Sequence, residues 1–269
     1  MMMMMMIETF TYEFMQRALV AGVVAAVLCG VIGIYVILNR IVFIGGGIAH
    51  TAFGGIGLGY LLGMDPLLFA VLFSVAAALG IGAISDRSRV SEDTAIGVFW
   101  AAGMSLGIVF VSISPGRAPD LFDYLFGNIL AVSWADVLLI SALTLAMLIL
   151  VALFYKDLLI LSFDAGYGEA VGLPTRELRL LLLCMVALSV VVLIKIVGII
   201  LVIALLTIPG AIGRQHARSL KRIMAISILL GASFVLAGLV ISYQLNIPSG
   251  ATIILAAAGT FFASTILCR

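Results

Sequence analysis

Nearly the whole chain is cut into apolar runs about as long as the hydrocarbon core of a bilayer is thick. Candidate spans cover 15–38, 44–63, 66–85, 94–113, 133–155, 178–195, 196–212, 222–243 and 249–268. A transmembrane helix needs about 20 mostly apolar residues, and these stretches supply them. A membrane barrel would alternate polar and apolar residues along each strand, and these runs do not. The chain therefore reads as all-α, a polytopic helical membrane protein with eight or nine transmembrane helices. The count turns on 178–195 and 196–212, which read equally as two short spans or one broken element. Composition agrees: 64% of residues are hydrophobic and 10% charged, against about 45–50% and about 25% in soluble domains.

Basic residues set the orientation. With the N-terminus outside, the inner loops hold Arg40; Arg87 and Arg89; Lys156, Arg176 and Arg179; Arg214, Arg218, Lys221 and Arg222; and Arg269. The outside keeps three of the fourteen, Arg17, Arg117 and Lys195. The positive-inside rule selects this arrangement, with nine crossings and a cytosolic C-terminus. Glu8 and Glu13 precede the first apolar run, where a cleavable signal would carry positive charge, so none is expected. Cys29, Cys184 and Cys268 fall in apolar segments and read as free packing residues.

The chain reads as one transmembrane domain, 1–269, with two long loops. An outer loop, 113–133, contains Pro115, Gly116 and Pro119, then "DLFDYLFGNILAV", enough for a short helix over 120–130 but not for a crossing. An inner loop, 156–178, contains "SFDAGYGEAVGLP". Here Asp164 caps a helix of about two turns, Gly172 takes a left-handed C-terminal position and Pro174 stops it. Phe163, Tyr167, Val171 and Leu173 offer apolar anchors, and Ala165, Gly166, Gly168 and Ala170 offer small surfaces for another backbone.

Several function classes lack their residues. No G-x-x-x-x-G-K-[ST] loop is present to cradle phosphates. No H-E-x-x-H is present, and the two histidines, His50 and His216, give no catalytic set. The carboxylates lie near span ends or in loops, not in the buried chains that proton-driven carriers use. These absences weigh against a membrane enzyme and an ion-gradient carrier, and favour a transporter that takes its energy from a partner.

His50 stands in the glycine-rich "GGGIAHTAFGGIGLG". It reads either as a donor lining a path or as a bundle histidine bonded to a neighbouring carbonyl. The glycines read as close helix packing or as a backbone-lined pore. Lys195 reads as a snorkelling end-of-span lysine, and His216 as part of a cytosolic basic face.

Three stretches in register carry a resemblance: "GGGIAHTAFGGIGLG"; "SEDTAIGVFWAAGMSLGIVF" with "DLFDYLFGNILAV"; and "IVGIILVIALLTIPGAIGRQHAR". Together they resemble the permease subunits of ATP-binding-cassette importers for zinc, manganese and related divalent metals, over roughly residues 18 to 267. Permeases of the vitamin B12 type are more distant relatives. The resemblance implies a homodimeric permease in a prokaryotic plasma membrane, cytosolic ATPase subunits, and an extracellular metal-binding solute-binding protein. A metal chelate is the alternative cargo. No permanently bound cofactor is implied; the divalent metal ion is cargo.

The resemblance also implies residue roles. His50, Gly46 and Gln244 fall on the transport pathway, with His50 a transient metal ligand. Many members read G-D-A-[IL]-S-H here; this chain has Gly46 for the aspartate and Ala49 for the serine. Where some manganese members carry a second histidine, "SYQLNIPSG" offers Gln244 and Asn246. Phe163, Asp164, Tyr167, Gly168, Glu169, Ala170 and Gly172 correspond to the helix that couples to the ATPase. Asp120 and Asp123 are placed to dock the binding protein.

Overall fold

The computed structural model describes residues 12–87, 90–115 and 127–267. Among these the regular structure is helical: α1 Glu13–Leu38, α2 Ile44–Leu62, α3 Pro66–Arg87, α4 Glu92–Ile113, α5 Trp134–Leu153, α6 Tyr155–Phe163, α7 Ala165–Ala170, α8 Thr175–Val197, α9 Ile199–His216, α10 Leu220–Leu245 and α11 Ser249–Leu267, with one 3₁₀ turn at Ile129–Ala131. Eight of these helices are long and apolar enough to cross a membrane. The stretch around Lys195 resolves into two of them, α8 and α9, parted at Gly198 with φ 80°.

Helix α2 is not among the eight. It has the length, 19 residues, but seven glycines and His50 dilute its apolarity. Protein surrounds it instead: fourteen of its residues are buried. A helix shielded by its neighbours does not have to match lipid chemically.

Local chemistry sets the helix ends. Ser91 caps α4 by accepting from the Thr94 N–H at 3.2 Å, with Glu92 and Asp93 in the first turn, where carboxylates complement the helix dipole. Ser133 and Asp136 make a reciprocal capping box at the start of α5, each backbone N–H donating to the other's side chain at 3.2 Å. Gly63, at φ 65°, closes α2 in the left-handed conformation.

The residues cluster into two compact units. One takes Tyr35–Leu121 and Ile149–Val192; in it α2 packs on α3 and α4, α3 on α4, and α7 on α6. The other takes Met1–Ile34, Phe122–Leu148 and Leu193–Arg269; in it α9, α10 and α11 pack on one another, and α1 meets α9 and α10 through Gly33 on Leu206 and Gly30 on Ile228. Large apolar side chains such as Leu138 and Leu145 on α5, and Leu255 and Phe262 on α11, stay exposed, as lipid-facing residues do. Cys29 and Cys184 are free thiols; Cys268 lies outside the described residues.

Candidate functional site

His50 lies in the second turn of α2, and its position follows from how closely α2 meets α4. A Cβ at Gly103 of α4 would stand 2.5 Å from Thr51 Cα, one at Gly54 2.8 Å from Gly103 O, and one at Gly57 2.6 Å from Gly107 O. Real Cβ atoms do not approach so closely, so these contacts require glycine, and small residues at three- and four-residue spacing form the seam. Thr51 Oγ1 ties the crossing, 2.7 Å from Gly47 O on its own helix and 2.9 Å from Phe99 O across the seam. Its single hydrogen serves one carbonyl at a time.

One residue along each helix from Thr51 and Phe99 stand His50 and Trp100. Their rings are stacked, centroids 4.4 Å apart and planes 11° from parallel. His50 is half-buried, and among the described residues neither ring nitrogen has a hydrogen-bond partner. The indole covers the face of the imidazole and leaves the nitrogens on its edge. Such a ring can donate a lone pair to a soft or borderline cation. Gly46, one turn earlier on the same helix, is buried and adds no side chain. No group of three or more His, Cys, Asp or Glu that could hold a metal exists among the described residues. The site therefore offers one imidazole per chain, a weak grip that suits passage better than storage.

Trp100 is the residue that sequence reasoning missed. The signal was present: Trp100, Gly103 and Gly107 follow helical i, i+3, i+7 spacing and so share a face. Gln244 is exposed in the last turn of α10. It belongs to the α9–α11 unit, whereas Gly46 and His50 belong to the α2–α4 unit, so these three are not gathered within one unit. Asp120 and Asp123 lie outside the described residues, as does most of 120–130; its described end is Gly127, at φ 64°, then Asn128 and the 3₁₀ turn. Gly127 rests against the Val197–Gly198 peptide, where the chain passes from α8 to α9.

The inner loop forms its short helix. Asp164 Oδ1 accepts from the Tyr167 N–H at 2.9 Å. At the other end Gly172, at φ 82°, donates to Glu169 O at 3.0 Å, and Leu173 donates to Gly168 O at 2.9 Å, the paired bonds of a Schellman cap. Phe163, Tyr167 and Val171 are 63%, 56% and 52% exposed. An open groove of about 360 Å³ runs beside them, lined by Leu159, Ile160, Phe163, Asp164 and Tyr167. Ala170 is exposed too, but Gly168 turns inward: a Cβ there would meet Thr175 Cγ2 at 3.1 Å and Ile160 Cγ2 at 3.4 Å. Gly168 thus lets the loop close on itself. Glu169 accepts from Thr175 Oγ1 at 3.2 Å.

Just after the loop, Arg176 pairs with Asp86 at 3.1 Å and Arg179 with Glu92 at 3.4 Å. These pairs tie the start of α8 to the end of α3 and the start of α4. Lys195 does not simply snorkel: its Nζ lies 2.7 Å from Asp136 Oδ1. His216 Nδ1 stands 3.0 Å from Ile212 O, engaged with its own helix.

A family model described as the ABC 3 transport family matches residues 11–268. An uncharacterized membrane protein of Synechocystis is 43% identical, over 98% of this chain and 94% of that one. The manganese transport system membrane protein MntC of Listeria monocytogenes is 38% identical, over 93% of this chain and 89% of its own. Among solved structures, PsaBC from Streptococcus pneumoniae in complex with Fab is similar with a TM-score of 0.85 and 35% identity, covering 96% of this chain and 93% of that one.

Proposed function

The chain belongs to the ABC 3 transport family, and from that premise we propose that it is the membrane permease subunit of an importer for a divalent metal ion, manganese first among them. The single observation that carries this reading is a family match running through both compact units, residues 11–268. It is a multi-pass protein of a prokaryotic plasma membrane. In this reading two copies form the path, each presenting His50 on a Trp100-backed edge. Two imidazoles with water make a loose shell for a borderline cation. The permease hydrolyses nothing itself. Cytosolic ATPase subunits grip the exposed Phe163, Tyr167 and Val171 around α7. Their movement reaches the rest of the α2–α4 unit through α8 and its ion pairs to Asp86 and Glu92. An extracellular solute-binding protein delivers the metal, with Asp120 and Asp123 as its contacts. No cofactor stays bound; the metal is cargo.

The experiment is reconstitution of the permease with its ATPase and binding protein in proteoliposomes, followed by uptake of radiolabelled manganese. Uptake that needs ATP and the binding protein, and stops with an inactive ATPase, is the expected result. Uptake driven by an ion gradient without ATP overturns the reading in favour of an independent carrier. ATP-dependent uptake of a chelate, with none of the bare ion, overturns the cargo.

A further inference from the structure

We infer that the hydrogen bond between Asn39 and Ser162 is a coupling link, through which α2, and His50 with it, moves with the loop helix α7; the inference rests on the reading of α7 as the ATPase contact. The link starts in the turn from α1 to α2, where only 39–43 separate the two helices. Asn39 ends α1 and a Schellman cap follows it: the Arg40 N–H donates to Ile37 O at 3.2 Å and the Ile41 N–H to Val36 O at 3.1 Å, with Arg40 itself at φ 60°. Ile41 and Ile44 are buried. The Ile44 N–H donates to Ile41 O and the Gly47 N–H to Phe43 O, each at 2.9 Å. The turn is thus bonded from one helix into the next, and a displacement of it is passed to α2 rather than absorbed. His50 lies six residues beyond Ile44, about 9 Å along the helix axis.

Across from this turn stands the end of α6. Asn39 Nδ2 donates to Tyr35 O at 2.9 Å and to Ser162 Oγ at 3.0 Å. An amide nitrogen has two hydrogens, so both bonds are made together. The Tyr35 carbonyl can only accept, which fixes the way the amide points. Ser162 Oγ gives its own hydrogen to Leu158 O at 2.7 Å and keeps lone pairs for Asn39. Ser162 is next to last in α6, beside the exposed Phe163. Asp164 then belongs to both helices: its N–H donates to Ile160 O at 2.8 Å, closing α6, and its side chain caps α7. A push on α7 therefore reaches Ser162 through one shared cap and crosses to Asn39, 123 residues away in sequence. All of these residues lie in one compact unit. The ion pairs of α8 act on α3 and on α4, the helix of Trp100; the Asn39 bond acts on α2, the helix of His50. Together the two links carry the stroke to both members of the ring pair.

The test uses the permease assembled with its ATPase and binding protein in proteoliposomes, with radiolabelled manganese uptake and ATP hydrolysis measured on the same vesicles. Ser162→Ala removes the acceptor and leaves Asn39 its bond to Tyr35. The ATPase should still co-purify, while uptake per ATP hydrolysed should fall about fivefold, the equilibrium weight of one net hydrogen bond. Ser162→Thr, which keeps the hydroxyl, should restore the ratio. Asn39→Ala should lower it as well, and the double variant Asn39→Ala, Ser162→Ala should be no worse than the worse single one, as for two ends of one interaction. An unchanged ratio in Ser162→Ala overturns the inference, and so do additive losses in the double variant. If Asn39→Ala does not assemble, Ser162→Ala and Ser162→Thr decide alone. Tyr167→Asp, run in parallel, separates the two levels. If it leaves ATPase association and coupled hydrolysis unchanged, the α7 contact falls and the link with it. If Tyr167→Asp weakens association and Ser162→Ala keeps a normal ratio, only the link falls.

Discussion

At the scale of single residues, the seam between α2 and α4 and the ring pair beside it make separable predictions. Gly97 and Gly103 are both in α4, but a Cβ at Gly97 meets nothing within 4 Å, whereas one at Gly103 meets Thr51 Cα at 2.5 Å. Gly97→Ala should therefore stabilise the detergent-solubilised protein by about 0.5–1 kcal/mol, and Gly103→Ala should destabilise it by about 1–3 kcal/mol; equal melting temperatures for the two would show that the seam is not tight. His50→Ala should cut metal uptake by about tenfold or more at unchanged expression, and Trp100→Leu should cost about tenfold through loss of the ring's support. The protein has two tryptophans, so Trp134→Phe leaves Trp100 as the sole indole. Paramagnetic manganese bound at His50 should quench its fluorescence, and His50→Ala should abolish the quenching. Quenching that survives His50→Ala would place the metal elsewhere. His50 stood out in the sequence because an imidazole in an apolar run is conspicuous. Its stacking partner was hidden, because a tryptophan in a membrane segment reads first as a lipid-interface residue.

At the scale of elements, α7 shows what local rules can and cannot reveal. Its start, stop and cap were all legible, since Asp164, Gly172 and Pro174 act within a few residues of themselves. The inward turn of Gly168 was not, because it depends on where Ile160 and Thr175 fold back. That difference selects the mutations. Gly168→Trp would break the loop's own closure, so loss of binding in that variant says little about docking. Tyr167→Asp leaves the closure intact and removes an exposed anchor. It should weaken association with the ATPase by about 30-fold, the effect of an aromatic hot spot of about 2 kcal/mol, while the permease still inserts normally. Unchanged co-purification and unchanged coupled ATPase activity would remove α7 from the interface. Asp164→Ala should cost the short helix about 1 kcal/mol through its lost cap. Lys195 teaches the same lesson at longer range: its partner Asp136 is 59 residues away, and end-of-span position alone suggested only snorkelling.

At the scale of the whole molecule, the spans could be read from length and apolarity, because lipid imposes one thickness on every crossing helix, but their number stayed at eight or nine. The exception was α2, which resembles a span in length and is marginal in apolarity; only packing shows why. Basic-residue bias predicts opposite sides for the two long loops. A cysteine at Asp123 should react with an impermeant thiol reagent added outside, and one at Arg218 only after the inner face is opened; the reverse pattern would invert the topology. The tightness of the α2–α4 seam has one more consequence, best put in terms of information. Where a crossing leaves room for a hydrogen atom and nothing more, only one of the twenty amino acids encodes the position. Where a face meets lipid, any apolar residue does. A saturation scan of all 269 positions should thus find the least freedom in the least hydrophobic of the long helices, and the most along the exposed sides of α5 and α11. The specification of this protein is written most densely where its side chains are smallest.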